Sequence, residues 1–205
     1  MAWWSKLLST TTYTNDPMKY LIAGLGNVGA EYEHTRHNIG FDIVDHLAKS
    51  NGAMWKLDSQ AYVTEIKHKG RTLVLIKPTT YMNLSGKAIH YWMQKHKIPK
   101  ENLLVVVDDL NLEFGLLRMR DTGSDGGHNG LKNIQQVLGG ADYPRLRIGI
   151  GNKFHKNQQV DFVLGKWNAD EKELLKTTIE KAANACLSFA AIGLKFTMNQ
   201  FNGKG

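Results

Sequence analysis

The chain has 205 residues, 42% of them apolar, and a formal net charge of +7 at pH 7. That length and apolar fraction suit one globular domain with its own core and exclude a disordered chain. No uninterrupted apolar stretch is long enough to span a bilayer, the single cysteine excludes an intramolecular disulfide, and the basic balance favours a polyanionic partner, nucleic acid being the commonest.

Residues 1–17, MAWWSKLLSTTTYTNDP, read as an N-terminal extension, flexible or tag-like; they are rich in Ser and Thr, and their apolar residues are broken up. Their apolar centre is too short for a secretory peptide. The remaining 18–205 are expected to form one domain. Lys19 to Ala23 reads as a short buried strand running into a Gly-rich loop. Residues 28–38 carry no apolar stripe and read as a long polar loop. Ile39, Ile43, Val44, Leu47 and Ala48 recur at helical spacing, which predicts a helix over 38–50. AYVTEIKHKGRTLVLIKP reads as two strands joined at Lys69-Gly70, the second ended by Pro78. Leu84 to His96 is predicted helical. LLVVVDD reads as a buried strand closing on two acids, and LEFGLLRMR as a further strand. The loop DTGSDGGHNG leads into a helix over 130–138. RLRIGIG is another strand, and Ala169 to Ile192 a long amphipathic helix. Cys186 lies in that helix's apolar stripe and reads as a small buried hydrophobe, which fits a reducing compartment.

Strands alternating with helices predict an α/β fold: a single-domain three-layer sandwich with a mixed, mostly parallel central sheet flanked by helices. Sites in such sheets form beyond the carboxyl ends of strands. The loops after Ala23, Ile76 and Val107 are therefore where function is expected.

The first of these loops holds Gly24-x-Gly26-x-x-Gly29, the spacing of a dinucleotide-binding loop. That reading needs a helix starting inside the glycines and an acid at the end of a second strand about 20 residues on. Asp45 has the distance, but it falls in the middle of a predicted helix. An NAD-dependent oxidoreductase is the third-ranked reading, and the glycines are read instead as allowing sharp turns near a ligand.

Four loops bring polar groups to strand ends or helix starts: Asn27 with His37, Asn83, Asp108 with Asp109, and His128 with Asn129. Plainer roles compete. Asn27 suits a turn, and Asn83 and Asn129 could each be only a helix cap. The Asp108-Asp109 pair could hold magnesium or end a strand. Adjacent strand residues face opposite ways, so one of the two is expected to enter a given site. His34 and His37 have a His-x-x-His spacing that no acid or cysteine pattern completes into a metal site. Together the groups suggest hydrolysis. A histidine is the natural base near neutral pH, a strand-end Asp can fix its tautomer, and Asn amides can donate to a developing oxyanion. No serine or cysteine sits in an elbow motif, so water is expected to attack directly. Arg118 with Arg120, and Arg145 with Arg147, share strand faces and suit phosphate.

GLGNVGAEYEHTRHNIGF, KPTTYMNLSGKA, VVVDDLNLEFG, GGHNGLKNI and RLRIGIG together resemble bacterial-type peptidyl-tRNA hydrolase, from about Lys19 to the C-terminal helix. Val28 departs from the proline usual after the family's Gly-Asn. The resemblance implies a cytoplasmic monomer that needs no metal or other cofactor. It implies cleavage of the ester between peptide and tRNA in peptidyl-tRNA, held by its acceptor end and 5′ phosphate, with no membrane involved. By the same resemblance His37 is the base, Asp108 its orienting acid, and Asn27 the third catalytic residue. Tyr32, Met82, Asn83, Asn129 and His128 line the substrate, Asn38 supports them, and Arg120 and Arg147, helped by Lys132, bind tRNA phosphate. A non-catalytic RNA-binding module on the same fold is the rival reading.

Overall fold

The computed structural model describes residues 17–155 and 157–203. Residues 1–16, almost all of the expected extension, lie outside the described residues. Alternating side chains on three central strands set the architecture. β1 (Lys19–Gly24) sends Leu21 and Ala23 to one face and Ile22 to the other. β4 (Arg71–Pro78) divides Val74 and Ile76 from Leu73 and Leu75 in the same way. β5 (Leu103–Asp109), buried throughout, divides Val105 and Val107 from Leu104 and Val106. Strands apolar on both faces must be covered on both. Ile43 and Leu47 of α1 (Ile39–Ser50) and Cys186 and Phe189 of α5 (Ala169–Ile192) cover one face. Ile89 and Trp92 of α2 (Ser85–His96) and Leu131 and Ile134 of α3 (Asn129–Leu138) cover the other. The result is the expected three-layer sandwich.

With β2 (Lys56–Asp58), β3 (Ala61–His68), β6 (Leu117–Arg120) and β7 (Arg145–Gly149), the seven-stranded sheet has the order β2-β3-β4-β1-β5-β7-β6. The β4-β1-β5-β7 pairings are parallel and occupy the centre; the antiparallel pairings lie at the two edges. Chain connections diverge to either side of β1, so a crevice opens beyond the carboxyl ends of β1 and β5.

Several elements differ from the sequence reading, the short edge strand β2 among them. LEFGLLRMR contributes only Leu117–Arg120 to the sheet. Its first half turns, with Gly115 at φ 86°, and the Gly115 N–H donates to the Gly149 carbonyl. Two short helices also follow from contacts that periodicity does not show: α4 (Gln159–Leu164) and α6 (Leu194–Phe201), which packs on α5 and β6.

The glycines after β1 serve close packing. A Cβ on Gly24 would collide with the Gly40 carbonyl, and one on Gly26 would come within 2.7 Å of the Phe41 ring. Only Gly29 of the three has a positive φ, 127°. The start of α1 therefore lies directly against the end of β1. Asp45, mid-helix, pairs with Lys77 at 2.6 Å and ends no strand, which removes the dinucleotide reading. Cys186 is buried as expected, and burial pushes its thiol up to about 12. Among the described residues no helix is long and apolar enough to cross a membrane.

Candidate active site

Asp108, the penultimate residue of β5, has its side chain turned towards two imidazoles. His37 Nδ1 lies 2.9 and 3.1 Å from its two carboxylate oxygens, and His128 Nε2 lies 3.1 Å from the first. His128 is also the N-cap of α3: its Nδ1 accepts the backbone N–H groups of Gly130 and Leu131, at 3.1 and 3.3 Å. An Nδ1 that accepts assigns the ring proton to Nε2, so His128 donates to Asp108. Burial alone would favour the neutral acid at Asp108. The attraction of His37 and the N–H donors of both rings outweigh it and hold the carboxyl well below the usual range. Burial likewise pushes His37 down, but the Asp108 charge and hydrogen bond prevail and leave its pKa raised.

The His37 ring is 14% exposed and, among the described residues, hydrogen-bonded through Nδ1 alone. Nε2 keeps its lone pair and has no hydrogen-bond partner among the described residues. Both parts of the catalytic requirement are thus met by one residue: a fixed tautomer and an accessible basic nitrogen. The pocket at His37 has a volume of about 100 Å³. The titratable groups facing it are Asp108 and Asp109 from β5, Asp125 and His128 from the Gly-rich loop, and Arg147 from β7. Asn129 lines it as well, exposed and without a hydrogen-bond partner among the described residues. His128, and not Asn129, makes the cap. No serine, threonine or cysteine is among the described residues lining this pocket.

Asn27 and Asn38 open on a neighbouring cleft of about 510 Å³. The Asn27 N–H donates to Asn38 Oδ1 at 2.8 Å, and Asn38 Nδ2 donates to the Asn27 carbonyl at 2.9 Å. This reciprocal pair, one residue on from His37, ties the two loops together and presents the Asn27 side chain. The glycine turns alone do not. Asn83 lies in the 3-10 turn Met82–Leu84 ahead of α2, exposed, and makes no side-chain cap. The start of α2 is fastened to α3 by the Gly86 N–H donating to Asn133 Oδ1 at 2.9 Å, which sets Asn83 beside the α3 end of the site. Met82 is 6% exposed and belongs to the core below; a Cβ on Gly130 would come within 2.8 Å of its sulfur. Tyr32 is half-buried in the turn Ala30–Tyr32, outside the lining of both clefts.

The arginines divide by burial. Register places Arg118 opposite Arg147 and Arg120 opposite Arg145, so all four share one face of β6–β7. Arg145 is fully buried and donates to the carbonyls of Gly123, Ala141 and Tyr143. Arg147 donates to Asp109 at 2.9 Å and to the Ser124 carbonyl. Both therefore strap the Gly-rich loop to the sheet. Arg120 is exposed and its side chain bonds, among the described residues, only to the Met119 carbonyl, and Lys132 is exposed on α3. Asp109 pairs with Arg147 while Asp108 bonds the histidines, yet both acids line the His37 pocket, so the expectation that one of the two enters a given site does not hold.

Among the described residues, His37, Asp108 and His128 are the group close enough to hold a metal ion, their ligating atoms lying within 4.8 Å. Hydrogen bonds to Asp108 already occupy the histidine nitrogens that face it. His34 turns away to Asp42 at 2.9 Å, so the His-x-x-His spacing builds no site. Sequence reading missed Arg36, which anchors the His37 turn, and the wall supplied by Gln159, Val160 and Val163 of α4. Only the fold brings that distant segment here.

A histidine held by a buried aspartate at the carboxyl edge of a mixed α/β sheet, with no serine, threonine or cysteine among the described residues lining its pocket, has the geometry of a base that could activate water in a hydrolase. The peptidyl-tRNA hydrolase family model matches residues 21–205. The peptidyl-tRNA hydrolase of Cytophaga hutchinsonii is 55% identical over 187 residues, covering 91% of this chain and all of that one. That of Phocaeicola vulgatus is 54% identical over 190 residues, with the same coverage. A crystal structure of peptidyl-tRNA hydrolase from Acinetobacter baumannii superposes with a TM-score of 0.85 at 34% identity, covering 93% of this chain and 97% of that one. The chain belongs to the peptidyl-tRNA hydrolase family.

Proposed function

We propose that His37, oriented by Asp108, is the base with which this chain carries out the reaction of its family, hydrolysis of peptidyl-tRNA. One observation carries the assignment. Nδ1 of His37 is committed to Asp108 while Nε2 stays open in a pocket shared with Asn129. A water on Nε2 gives up a proton as its oxygen attacks the ester carbonyl carbon. The carbonyl electron pair moves onto oxygen, where the amides of Asn27 and Asn129 donate to it, with Asn83 holding the peptide end. The tetrahedral centre then expels the oxygen of the 3′-terminal ribose, which takes the proton back from His37. The products are a peptide carboxyl and a tRNA with a free hydroxyl. Asp108 stays ionised throughout and stabilises the imidazolium that forms.

The substrate's acceptor end enters at this pocket, with its 5′ phosphate towards the β6–β7 edge. The exposed Arg120 and Lys132 support that placement, and Arg147 adds the N–H groups it does not spend on Asp109 and Ser124. Met82 supports the site from below, and Tyr32, which lines neither cleft, meets the substrate outside them. All these groups come from one chain, which supports action as a monomer, and a substrate made on ribosomes supports work in the cytoplasm.

The test is deacylation of an N-acetylated aminoacyl-tRNA. His37→Ala should lower kcat/KM by about 100- to 10,000-fold, with the melting temperature little changed. Wild-type turnover should persist in a chelator. Near-normal turnover by His37→Ala overturns the base assignment.

A further inference from the structure

The residue before the base is nearly buried and heavily engaged. Arg36 Nη2 reaches both carboxylate oxygens of Glu171, at 3.0 and 2.8 Å, with the two side chains 9% and 19% exposed. Nη1 donates to the Phe162 and Lys166 carbonyls, at 3.3 and 3.1 Å. The guanidinium lies over the rings of Phe162 and Trp167, 4.4 and 5.2 Å from their centroids. The Arg36 N–H donates to the Gly165 carbonyl at 3.1 Å, and Thr35 bridges to Lys166. Glu171 is itself fixed by the capping box of α5, accepting the Asn168 N–H at 2.8 Å. One guanidinium thus joins the 3-10 turn Arg36–Asn38, which carries the base, to α5 and to α4, whose Val160 and Val163 wall the pocket.

We infer that Arg36 and Glu171 are positioning residues for the reaction: their buried ion pair holds His37 in register with Asp108 and seats the α4 wall beside it. This rests on the assignment of His37 as the base. Two features argue for more than a structural pair. The anchored residue is the immediate chain neighbour of the base, so any slack passes directly to the imidazole. The same guanidinium also fixes two α4–α5 carbonyls that a lysine, with one nitrogen, cannot serve together with the carboxylate. A displacement of about 1 Å at a reacting group costs on the order of 100-fold in rate.

The test uses Arg36→Lys and Glu171→Gln in the full chain, with His37→Ala as control. Glutamine keeps an acceptor for the Asn168 N–H, so Glu171→Gln decides the matter if Arg36→Lys does not fold. The expected result is kcat lower by about 10- to 100-fold with KM within about twofold, since the tRNA-binding groups lie elsewhere. The acid limb of the rate profile should also move to lower pH, because His37 loosens from the carboxylate that raises it. Glu171→Asp, which keeps the charge, should recover part of the rate. Unchanged kcat and an unchanged limb in folded variants, with only the melting temperature lowered, overturn the inference while leaving the base assignment intact. A His37→Ala control that stays active overturns the base assignment instead.

Discussion

His128 does two things that pull apart under mutation. It caps α3 through Nδ1 and donates to Asp108 through Nε2, while its neighbour Asn129 does neither and stands free in the pocket. Removing each side chain should therefore give opposite signatures. His128→Ala loses a cap, costing about 1 kcal/mol, and leaves a buried carboxylate short of one donor, costing about 1–3 kcal/mol more. Asn129→Ala should leave the melting temperature almost unchanged and lower turnover by about 100-fold or more. Thermal unfolding and single-turnover deacylation on the two variants check this. A large fall in stability for Asn129→Ala with normal turnover would make it a structural residue. Asn129 precedes a helix and looks like a cap in sequence. Its neighbour takes the role because an imidazole at that position can accept two backbone N–H groups and still reach the strand end.

At the scale of elements, the opening glycines show what a spacing can and cannot tell. Gly24-x-Gly26-x-x-Gly29 marks a strand that meets a helix closely, and so it does here. The helix it meets begins at Ile39, beyond the polar loop, and the small residue on the helix side is Gly40. A Cβ on Gly40 would fall 2.5 Å from the backbone of Leu25 and Val106. Gly40→Ala should therefore push α1 off the sheet, destabilise by about 1–3 kcal/mol, and lower turnover because the Asn27–Asn38 pair moves with it. Denaturant unfolding checks this; a stability within about 0.5 kcal/mol of wild type would contradict the packing account. The sandwich, its long helices and its buried strands were legible because apolar period fixes element type. The half-strand before Leu117, α4 and α6 were not, since each depends on tertiary packing of short segments. The same holds within the site. His37, Asp108 and the asparagines stand in quotable motifs, whereas Arg36 and Glu171 meet across 135 residues.

At the scale of the whole molecule, a net charge of +7 is useful to the substrate only where it is exposed. Two of the four arginines on the β6–β7 face are largely buried and hold the Gly-rich loop, so arginine spacing overstated the number available to phosphate. Arg120→Ala with Lys132→Ala should weaken tRNA binding and flatten its log–log salt dependence by about 0.7–0.9 for each phosphate no longer neutralised, with kcat retained. An unchanged salt slope would remove this face from the tRNA interface. The central claim, a base whose pKa is raised by its aspartate, is tested most directly by the pH dependence of kcat/KM in wild type and Asp108→Asn. A base works deprotonated, so wild-type activity should rise with pH through a limb above the ordinary histidine value of 6.5. Asp108→Asn removes the charge that raises His37 and leaves the burial that lowers it. Its limb should move to lower pH, with the plateau reduced by about 100-fold or more. A limb that stays in place when the carboxylate is gone would contradict the account.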